Sequence, residues 1–356
     1  MPGIGPVRCA RLLARFGSPE AVLAAPRPAL DELGLPADSV AGLGNPPWAT
    51  VEQDLLWLER PGNSLLCLDD PRYPPLLREI PTPPPVLFVR GDPALLGRPQ
   101  LAVVGTRNPT PAGRRTAREF AAHLAGAGLV ITSGLALGID AEAHRGALQT
   151  GQTVAVMGTG PDRLYPARHR DLARHIAERG ALVSELPPGT PPNAENFPRR
   201  NRVISGLSLG TLVVEAATQS GSLISARLAG EQGREVFAIP GSIHNPMARG
   251  CHALIRQGAK LVETGADILE ELGPLAATVT TPDPPPVIKP ATPTDLDPEY
   301  RALLALLGEA PCAVDTLVER SGLTAEAVSS MLLIMELQGY VASAGGFYTR
   351  LINEDT

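Results

Sequence analysis

From Leu101 to about Leu272 the sequence alternates short apolar runs with longer segments that have the apolar spacing of helices. Strands that are buried on both faces read as continuous apolar runs, and their alternation with helices is typical of a parallel sheet covered on both sides. The pattern therefore predicts an α/β fold built on a doubly wound, mainly parallel sheet. The predicted strands are Leu101–Val104, Leu129–Thr132, Thr153–Met157, Ala181–Ser184, Thr211–Glu215, Glu235–Ile239 and Lys260–Val262.

The first of these strands ends abruptly at Gly105 and is followed by a helix-like segment. In an open α/β sheet, ligands collect at such turns, because backbone amides and a helix N-terminus favour anions. The turn Gly105-Thr106-Arg107 is therefore predicted to hold phosphate. Neither G-x-G-x-x-G nor G-x-x-x-x-G-K-[ST] occurs, so a dinucleotide or ATP site is unsupported and no cofactor is expected. A tight turn with a solvated arginine is the alternative.

The segments on either side of this region predict a chain of several domains. Residues 1–60 have helical spacing, and their opening Gly3-Ile-Gly5 resembles the hairpin of helix-hairpin-helix motifs. The sheet domain is placed at 61–272, where a proline-rich connector ends in a predicted edge strand, Val86–Arg90. A proline-rich linker follows at 273–298, and the helix and hairpin pattern of 299–356 predicts a winged-helix domain.

Charge is distributed unevenly along the chain. The formal net charge is −6, but residues 98–260 carry 19 Lys and Arg against 11 Asp and Glu, whereas residues 261–356 carry 4 against 15. A basic middle suits a polyanionic ligand, and an acidic winged-helix region suits protein contacts better than duplex DNA. The four cysteines lack metal-site spacing, and we find no signal peptide or apolar run long enough to cross a bilayer. A cytoplasmic protein without membrane contact is expected.

The most basic short run is Phe197-Pro-Arg-Arg-Asn-Arg-Val-Ile204. Arginines that neutralise phosphates beside an aromatic ring that stacks a base are typical of single-stranded nucleic acid binding. The alternative makes Phe197 a core residue and the arginines a solvated helix start. A second anion-binding site is predicted at Ser220-Gly221-Ser222, where a helix begins. A serine at this position could also be only an N-cap.

Two other kinds of chemistry are considered and set aside. Asp140 and His144 share one helical face, but two ligands without a third are inadequate for a metal. A contact between these two side chains that orders the helix start is the expected arrangement. No G-x-S-x-G sequence or comparable nucleophile arrangement occurs, so acyl transfer has no support.

Taken together, these motifs resemble the DNA-processing protein A family (DprA, also called Smf). The motifs that carry the resemblance are Val103–Arg107, Ser133–Asp140 with His144, Val156–Gly160 with Tyr165-Pro166, Ser184-Glu185, Phe197–Ile204, Val214–Ala216, Ser220–Ser222 and Ile239–Gly241. The resemblance implies an extended Rossmann-like domain, an N-terminal sterile-alpha-motif-like module and a C-terminal winged helix.

The resemblance also implies a function. Members bind single-stranded DNA without strict sequence preference, form homodimers and load RecA recombinase during natural transformation. By motif, the DNA-binding residues would be Gly105, Thr106, Arg107, Phe197, Arg200, Asn201, Arg202, Ser220, Gly221 and Ser222. Some members have a lysine shortly before the phenylalanine, where this chain has Asn193-Ala-Glu-Asn196.

We accordingly predict a non-enzymatic, homodimeric protein that binds and protects single-stranded DNA and transfers it to RecA. The alternative is a nucleotide phosphoribohydrolase-like enzyme of the lysine-decarboxylase-like family, in which Glu185 or Glu215 acts at the sugar. That family's P-G-G-x-G-T motif is absent from this chain. A protein-binding scaffold that functions through its acidic winged helix is a third possibility.

Overall fold

The structure is a computed structural model that describes residues 3–279, 298–307, 312–337, 340–344 and 347–350. The chain divides into two compact units, Met1–Thr281 and Pro282–Thr356. Most of the linker predicted at 273–298 lies outside the described residues. At its start the linker prediction is wrong, because the last helix of the first unit continues to Val279.

The first unit begins with a small helical module, as the apolar spacing predicts. Its helices enclose a core of Leu12, Val22, Leu30, Val40 and Leu43. Prolines stand in the first turns of several of these helices, where the missing N–H costs nothing. The helices are α1 (Pro6–Phe16), α2 (Pro19–Leu23), α3 (Arg27–Asp31), α4 (Ala37–Gly44) and α5 (Trp48–Leu58).

A nine-stranded sheet with strand order β1-β2-β6-β5-β4-β3-β7-β8-β9 forms the centre of the first unit. The strands from β3 to β9 are mutually parallel, which confirms the predicted fold class. The strands are β1 (Asn63–Cys67), β2 (Val86–Gly91), β3 (Gln100–Val104), β4 (Val130–Ser133), β5 (Thr153–Val156), β6 (Ala181–Ser184), β7 (Gly210–Val213), β8 (Glu235–Ala238) and β9 (Lys260–Leu261).

The prediction that Val86–Arg90 is an edge strand is wrong. Strand β2 lies between β6 and β1, and it pairs antiparallel with both. The edge is β1, which the sequence analysis did not identify because a proline-rich stretch separates it from its partner. Closing that hairpin depends on Tyr73, whose buried hydroxyl donates to the carbonyl of Pro84 at 2.7 Å.

Helices cover both faces of the sheet and divide its core into two layers. One layer contains Leu77, Val104 and Val213, and the other contains Leu101, Ile131 and Phe237. The covering helices are α6 (Pro75–Arg78), α7 (Pro111–Gly126), α8 (Ile139–Thr150), α9 (Arg170–Arg179), α10 (Asn196–Gly206), α11 (Ser222–Glu231), α12 (Arg249–Arg256) and α13 (Gly265–Val279).

The second unit has a winged-helix arrangement, with three helices and a small sheet ordered β10-β12-β11. Its core includes Leu303, Leu317, Leu332 and Met335. The elements are α14 (Pro298–Leu306), β10 (Cys312–Ala313), α15 (Val314–Ser321), α16 (Ala325–Leu337), β11 (Val341–Ala344) and β12 (Phe347–Arg350).

The chain adds strands β4 to β6 on one side of β3 and strands β7 to β9 on the other side, so its progression across the sheet reverses at β3. Connections to β4, β5 and β6 run one way, and connections to β7, β8 and β9 run the other way. At such a switch point the loops after neighbouring strands diverge and leave a crevice beyond the carboxyl ends. The loops after β3, β4, β5 and β7 are therefore the ones that can form a site.

Candidate nucleic-acid interface

A groove of about 960 Å³ lies at this switch point, and we call it the carboxyl-edge groove. It is lined by residues from the loops after β3, β4, β5 and β7, by a few residues after β6 and β8, and by the first turns of α10 and α11. Nine of the ten residues predicted to bind DNA come together there, although they span more than a hundred positions of sequence. They are Gly105, Thr106, Arg107, Phe197, Arg200, Asn201, Ser220, Gly221 and Ser222.

The turn after β3 differs from the predicted anion-binding site in one respect. The N-terminus of α7 is occupied by the protein's own carboxylate, since Glu215 accepts from the backbone N–H and the hydroxyl of Thr110 at 2.9 and 2.7 Å. Thr106 also donates its N–H to the carbonyl of Glu215 at 2.7 Å. A phosphate at this turn would therefore meet Arg107 and not the start of α7.

Two arginines give the carboxyl-edge groove its positive charge, one exposed and one buried. Arg107 is exposed on the turn, whereas Arg200 is only 4% exposed. The Nη1 atom of Arg200 donates to the carbonyl of Val156 at 2.8 Å, and its buried Nε has no hydrogen-bond partner. A Cβ on Gly134 would collide with this guanidinium, so the glycine makes room for it.

Burial shifts the pKa values of Arg200 and Asp140, and the attraction between their opposite charges opposes both shifts. Burial lowers the pKa of Arg200 to about 10, with Asp140 opposing the change and the Arg107 cation adding to it. Burial likewise raises the pKa of Asp140, while Arg200 and the amides of Ala136 and Gly134 oppose that rise. A guanidinium with a pKa near 10 remains charged at neutral pH. The groove thus holds a preorganised cation, Arg200, whose charge is opposed in part by Asp140 in the lining of the same groove.

Phe197 lies in the first turn of α10 and is partly buried, so it is not the core residue of the alternative interpretation. Its ring packs against Gly158 on one side and lies 5.4 Å, centroid to centroid, from the ring of Tyr165. Tyr165 is 49% exposed and lines the carboxyl-edge groove. Tyr165 belongs to one of the motifs that carry the family resemblance, but it is not among the ten residues predicted to bind DNA. Its position soon after β5 is the signal that could have identified it.

Asn201 joins the two helices that border the carboxyl-edge groove. Its Nδ2 donates to the carbonyl of Gly221 at 3.4 Å. The hydroxyls of Ser220 and Ser222 are 2.7 Å apart, and the N–H of Ser222 donates to Ser220. Ser220 therefore orders the start of α11, and the N-terminal end of that helix faces the groove.

Arg202 lies outside the carboxyl-edge groove, in contrast to the prediction that it lines the site. Its guanidinium pairs with Glu185, with Nη2 donating to Oε2 at 2.6 Å. Both side chains are largely buried, and Arg199 approaches the same carboxylate at 3.4 Å. Helical periodicity explains the outcome, because Arg200 and Arg202 are two positions apart and so point to different sides of α10.

The predicted contact between Asp140 and His144 is not formed, and the two side chains have different partners. Asp140 accepts from the backbone N–H groups of Gly134 and Ala136, which closes the loop after β4. His144 is fully buried and contacts the hydroxyl of Thr153 through Nδ1 at 2.7 Å. Asp140 therefore orders a loop that borders the groove, whereas His144 contacts β5 in the interior. Within the described residues, no group of three or more His, Cys, Asp or Glu could hold a metal ion.

The fold and the site define a doubly wound α/β protein with an arginine-containing groove at its topological switch point and an appended winged-helix domain. A model of the family described as DNA recombination-mediator protein A matches residues 64–273, and one described as the DprA winged helix domain matches residues 287–346. The chain belongs to the DNA recombination-mediator protein A (DprA/Smf) family, a family of DNA-processing proteins. No described helix is long and apolar enough to cross a membrane.

Relatives with similar sequences and structures cover most of the chain. Protein Smf of Escherichia coli is 44% identical over 348 residues, which is 97% of this chain and 91% of that protein. The X-ray structure of DNA processing protein A from Streptococcus pneumoniae matches with a TM-score of 0.59 and 36% identity, covering 75% of this chain and 98% of the other. DNA processing protein A from Helicobacter pylori, described for its single-stranded DNA binding mode, matches with a TM-score of 0.55 and 30% identity over 60% of this chain and 96% of the other.

Proposed function

We propose that this protein is a recombination mediator that binds single-stranded DNA in the carboxyl-edge groove, protects it and loads RecA onto it during natural transformation. The observation that carries the proposal is the pairing of two aromatic rings with two cations in one groove, at Tyr165, Phe197, Arg107 and Arg200. Aromatic rings can stack on bases of any sequence, and the arginines neutralise the linked phosphates. The Helicobacter pylori relative, described for binding single-stranded DNA, supports the same ligand.

Access to the rings favours a single strand over a duplex. Phe197 is partly buried, and the face that it offers opens into the groove and not onto a protruding surface. A base inside a duplex is stacked on its neighbours and cannot enter such a groove without being extruded, which costs a few kcal/mol. A flexible single strand presents its bases without that cost.

A homodimer is part of the proposal, and the sheet edge at β9 supports it. Within the part of the chain that the structure describes, strand β9 pairs with β8 on one side only, and its Leu261 is 49% exposed. An exposed apolar side chain on an edge strand with unpaired backbone groups is a ready surface for a second copy. Two copies joined there would present two carboxyl-edge grooves to one DNA strand, which suits a protein that coats DNA before transfer.

The geometry gives the enzyme alternative little support. The two carboxylates that it requires, Glu185 and Glu215, are engaged by protein groups, and neither lines the carboxyl-edge groove. A catalytic carboxylate has to reach the sugar within hydrogen-bond distance. We therefore propose binding and transfer as the mechanism, with no catalytic residue and no cofactor.

Titration of labelled oligo-dT at two salt concentrations, beside a duplex of equal length, tests the proposal. Tight binding to oligo-dT that weakens steeply with salt, together with weaker duplex binding, is the expected result. Equal affinity for oligo-dT and the duplex would contradict the proposal that Tyr165 and Phe197 select a single strand. Release of free base from nucleoside monophosphates would establish the enzyme alternative instead.

A further inference from the structure

Helices α7 and α8 carry an exposed group of arginines that the carboxyl-edge groove does not include. Three guanidiniums surround one buried carboxylate, Glu142, whose side chain is 5% exposed. Nε of Arg118 donates to Glu142 Oε2 at 3.0 Å, and Nη1 of Arg145 donates to Oε1 at 2.7 Å. Arg114 lies at 4.0 Å from the same carboxylate. We call these four residues the α7–α8 arginine surface.

The arginines exceed what the buried carboxylate requires. One guanidinium would neutralise the charge of Glu142, and Arg118 already contacts its Oε2 through two nitrogens, while Arg145 contacts Oε1. Three guanidiniums and one carboxylate leave the surface with a net charge of +2, and the side chains of Arg114 and Arg145 are 49% and 44% exposed. A purely structural ion pair needs no such excess.

Helix packing makes this surface continuous with the carboxyl-edge groove. Gly138, just before α8, packs directly on the backbone of Arg107, and the N–H of Ile139 donates to the carbonyl of Thr106 at 3.2 Å. Helix α7 begins a few residues after the same turn. A Cβ on Gly146 would collide with the carbonyl of Arg118, so the glycine allows close packing of the two helices. The turn that carries Arg107 therefore adjoins the start of α8, and Glu142 with its arginines follows within the next turn of that helix.

We propose that the α7–α8 arginine surface carries the sugar-phosphate backbone of a single DNA strand after it leaves the carboxyl-edge groove. This inference rests on the proposed function and extends the length of strand that one protomer holds. The surface lacks aromatic side chains, so it contacts phosphates and contributes no stacking. Its contribution to affinity depends on salt and on strand length, but not on base sequence.

Comparison of short and long oligonucleotides tests the proposal. The variant combines Arg114→Gln with Arg145→Gln, which removes the excess charge and keeps the Arg118–Glu142 pair that stabilises the buried carboxylate. Affinity for oligo-dT of about 6 nucleotides should not change, because such a ligand fills only the groove. Affinity for a strand of about 20 nucleotides should fall roughly fivefold or more at low salt, and the salt slope should flatten by about 1.4.

A matched control removes two exposed arginines at the opposite edge of the sheet, Arg179 and Arg256, which end α9 and α12. Unchanged binding of both ligands by this control is expected. Long-strand affinity that is equal in the α7–α8 variant and the wild type would overturn the proposal, and so would equal loss for both lengths. Failure of the proposed function gives a different result, because Arg107→Ala would then leave the affinities for the short and the long oligonucleotide unchanged.

Discussion

The ring of Tyr165 lies 5.4 Å from the ring of Phe197, at an interplanar angle of 45°. The two residues are distant in sequence, and Tyr165 comes from the loop after β5 while Phe197 opens α10. Their contact turns a single predicted stacking residue into an aromatic pair. Tyr165 is the more exposed member, and Phe197 is held against Gly158.

Replacement of Phe197 by alanine should weaken binding of oligo-dT by about 1–3 kcal/mol with little change in salt slope, because stacking releases no counterions. Tyr165→Ala should act in the same direction and Tyr165→Phe should retain affinity, since the ring and not the hydroxyl makes the contact. Fluorescence titration measures both effects. A fall in melting temperature that accounts for the whole loss of binding would show that Phe197 is only structural.

Arg107 and Arg202 should behave differently although both are arginines of the predicted site. Arg107→Ala removes an exposed cation of the carboxyl-edge groove and should flatten the salt slope by about 0.7 without lowering stability. Arg202→Ala leaves Glu185 buried with only the partly exposed Arg199 and should cost about 3 kcal/mol in the free energy of unfolding. Salt titrations and urea denaturation separate the two. An Arg202 variant of normal stability with a reduced salt slope would return that residue to the binding site.

His144 should make the fold sensitive to acid. Burial, with help from His169 and Arg200, lowers the pKa of His144 to about 3, whereas in the unfolded chain the pKa is about 6.5. Between these values the unfolded state binds a proton that the folded state does not, so stability falls as the pH drops through this window. The total loss is on the order of 5 kcal/mol.

Replacing this residue by asparagine, which cannot be protonated and keeps a polar contact for Thr153, should make the dependence of melting temperature on pH shallower between pH 6.5 and 4. Both proteins are measured by thermal unfolding over that range. Parallel pH profiles for His144→Asn and wild type would show that His144 is not the group responsible.

Leu261→Glu should convert a dimer into a monomer, because a carboxylate at an apolar edge contact is costly to desolvate. Light scattering after size-exclusion chromatography gives the mass of each species. Ile243→Glu is the matched control, since Ile243 is an exposed apolar residue of the loop after β8 and not of the edge strand itself. A monomeric wild type, or a dimer that survives Leu261→Glu, would contradict the placement of the interface at β9.

Sequence alone determined the alternation of parallel strands and helices along the sheet domain and the chemical character of the site. Apolar runs between helical segments identified the seven parallel strands to within about two residues, because continuous burial leaves a local signal that neighbouring residues share. The residues Gly105 to Arg107, Phe197 and Ser220 to Ser222 could likewise be recognised by type and by their position after strands.

Only the tertiary structure decided which of these residues meet and which are already paired. Glu215 at the start of α7 and Glu185 beside Arg202 are contacts between segments far apart in sequence, and no local pattern encodes them. The antiparallel addition of β1, the pairing of Tyr165 with Phe197 and the burial of Arg200 have the same origin. They arise because the sheet brings the loops after several strands to one edge, and distances there are set by packing and not by spacing along the chain.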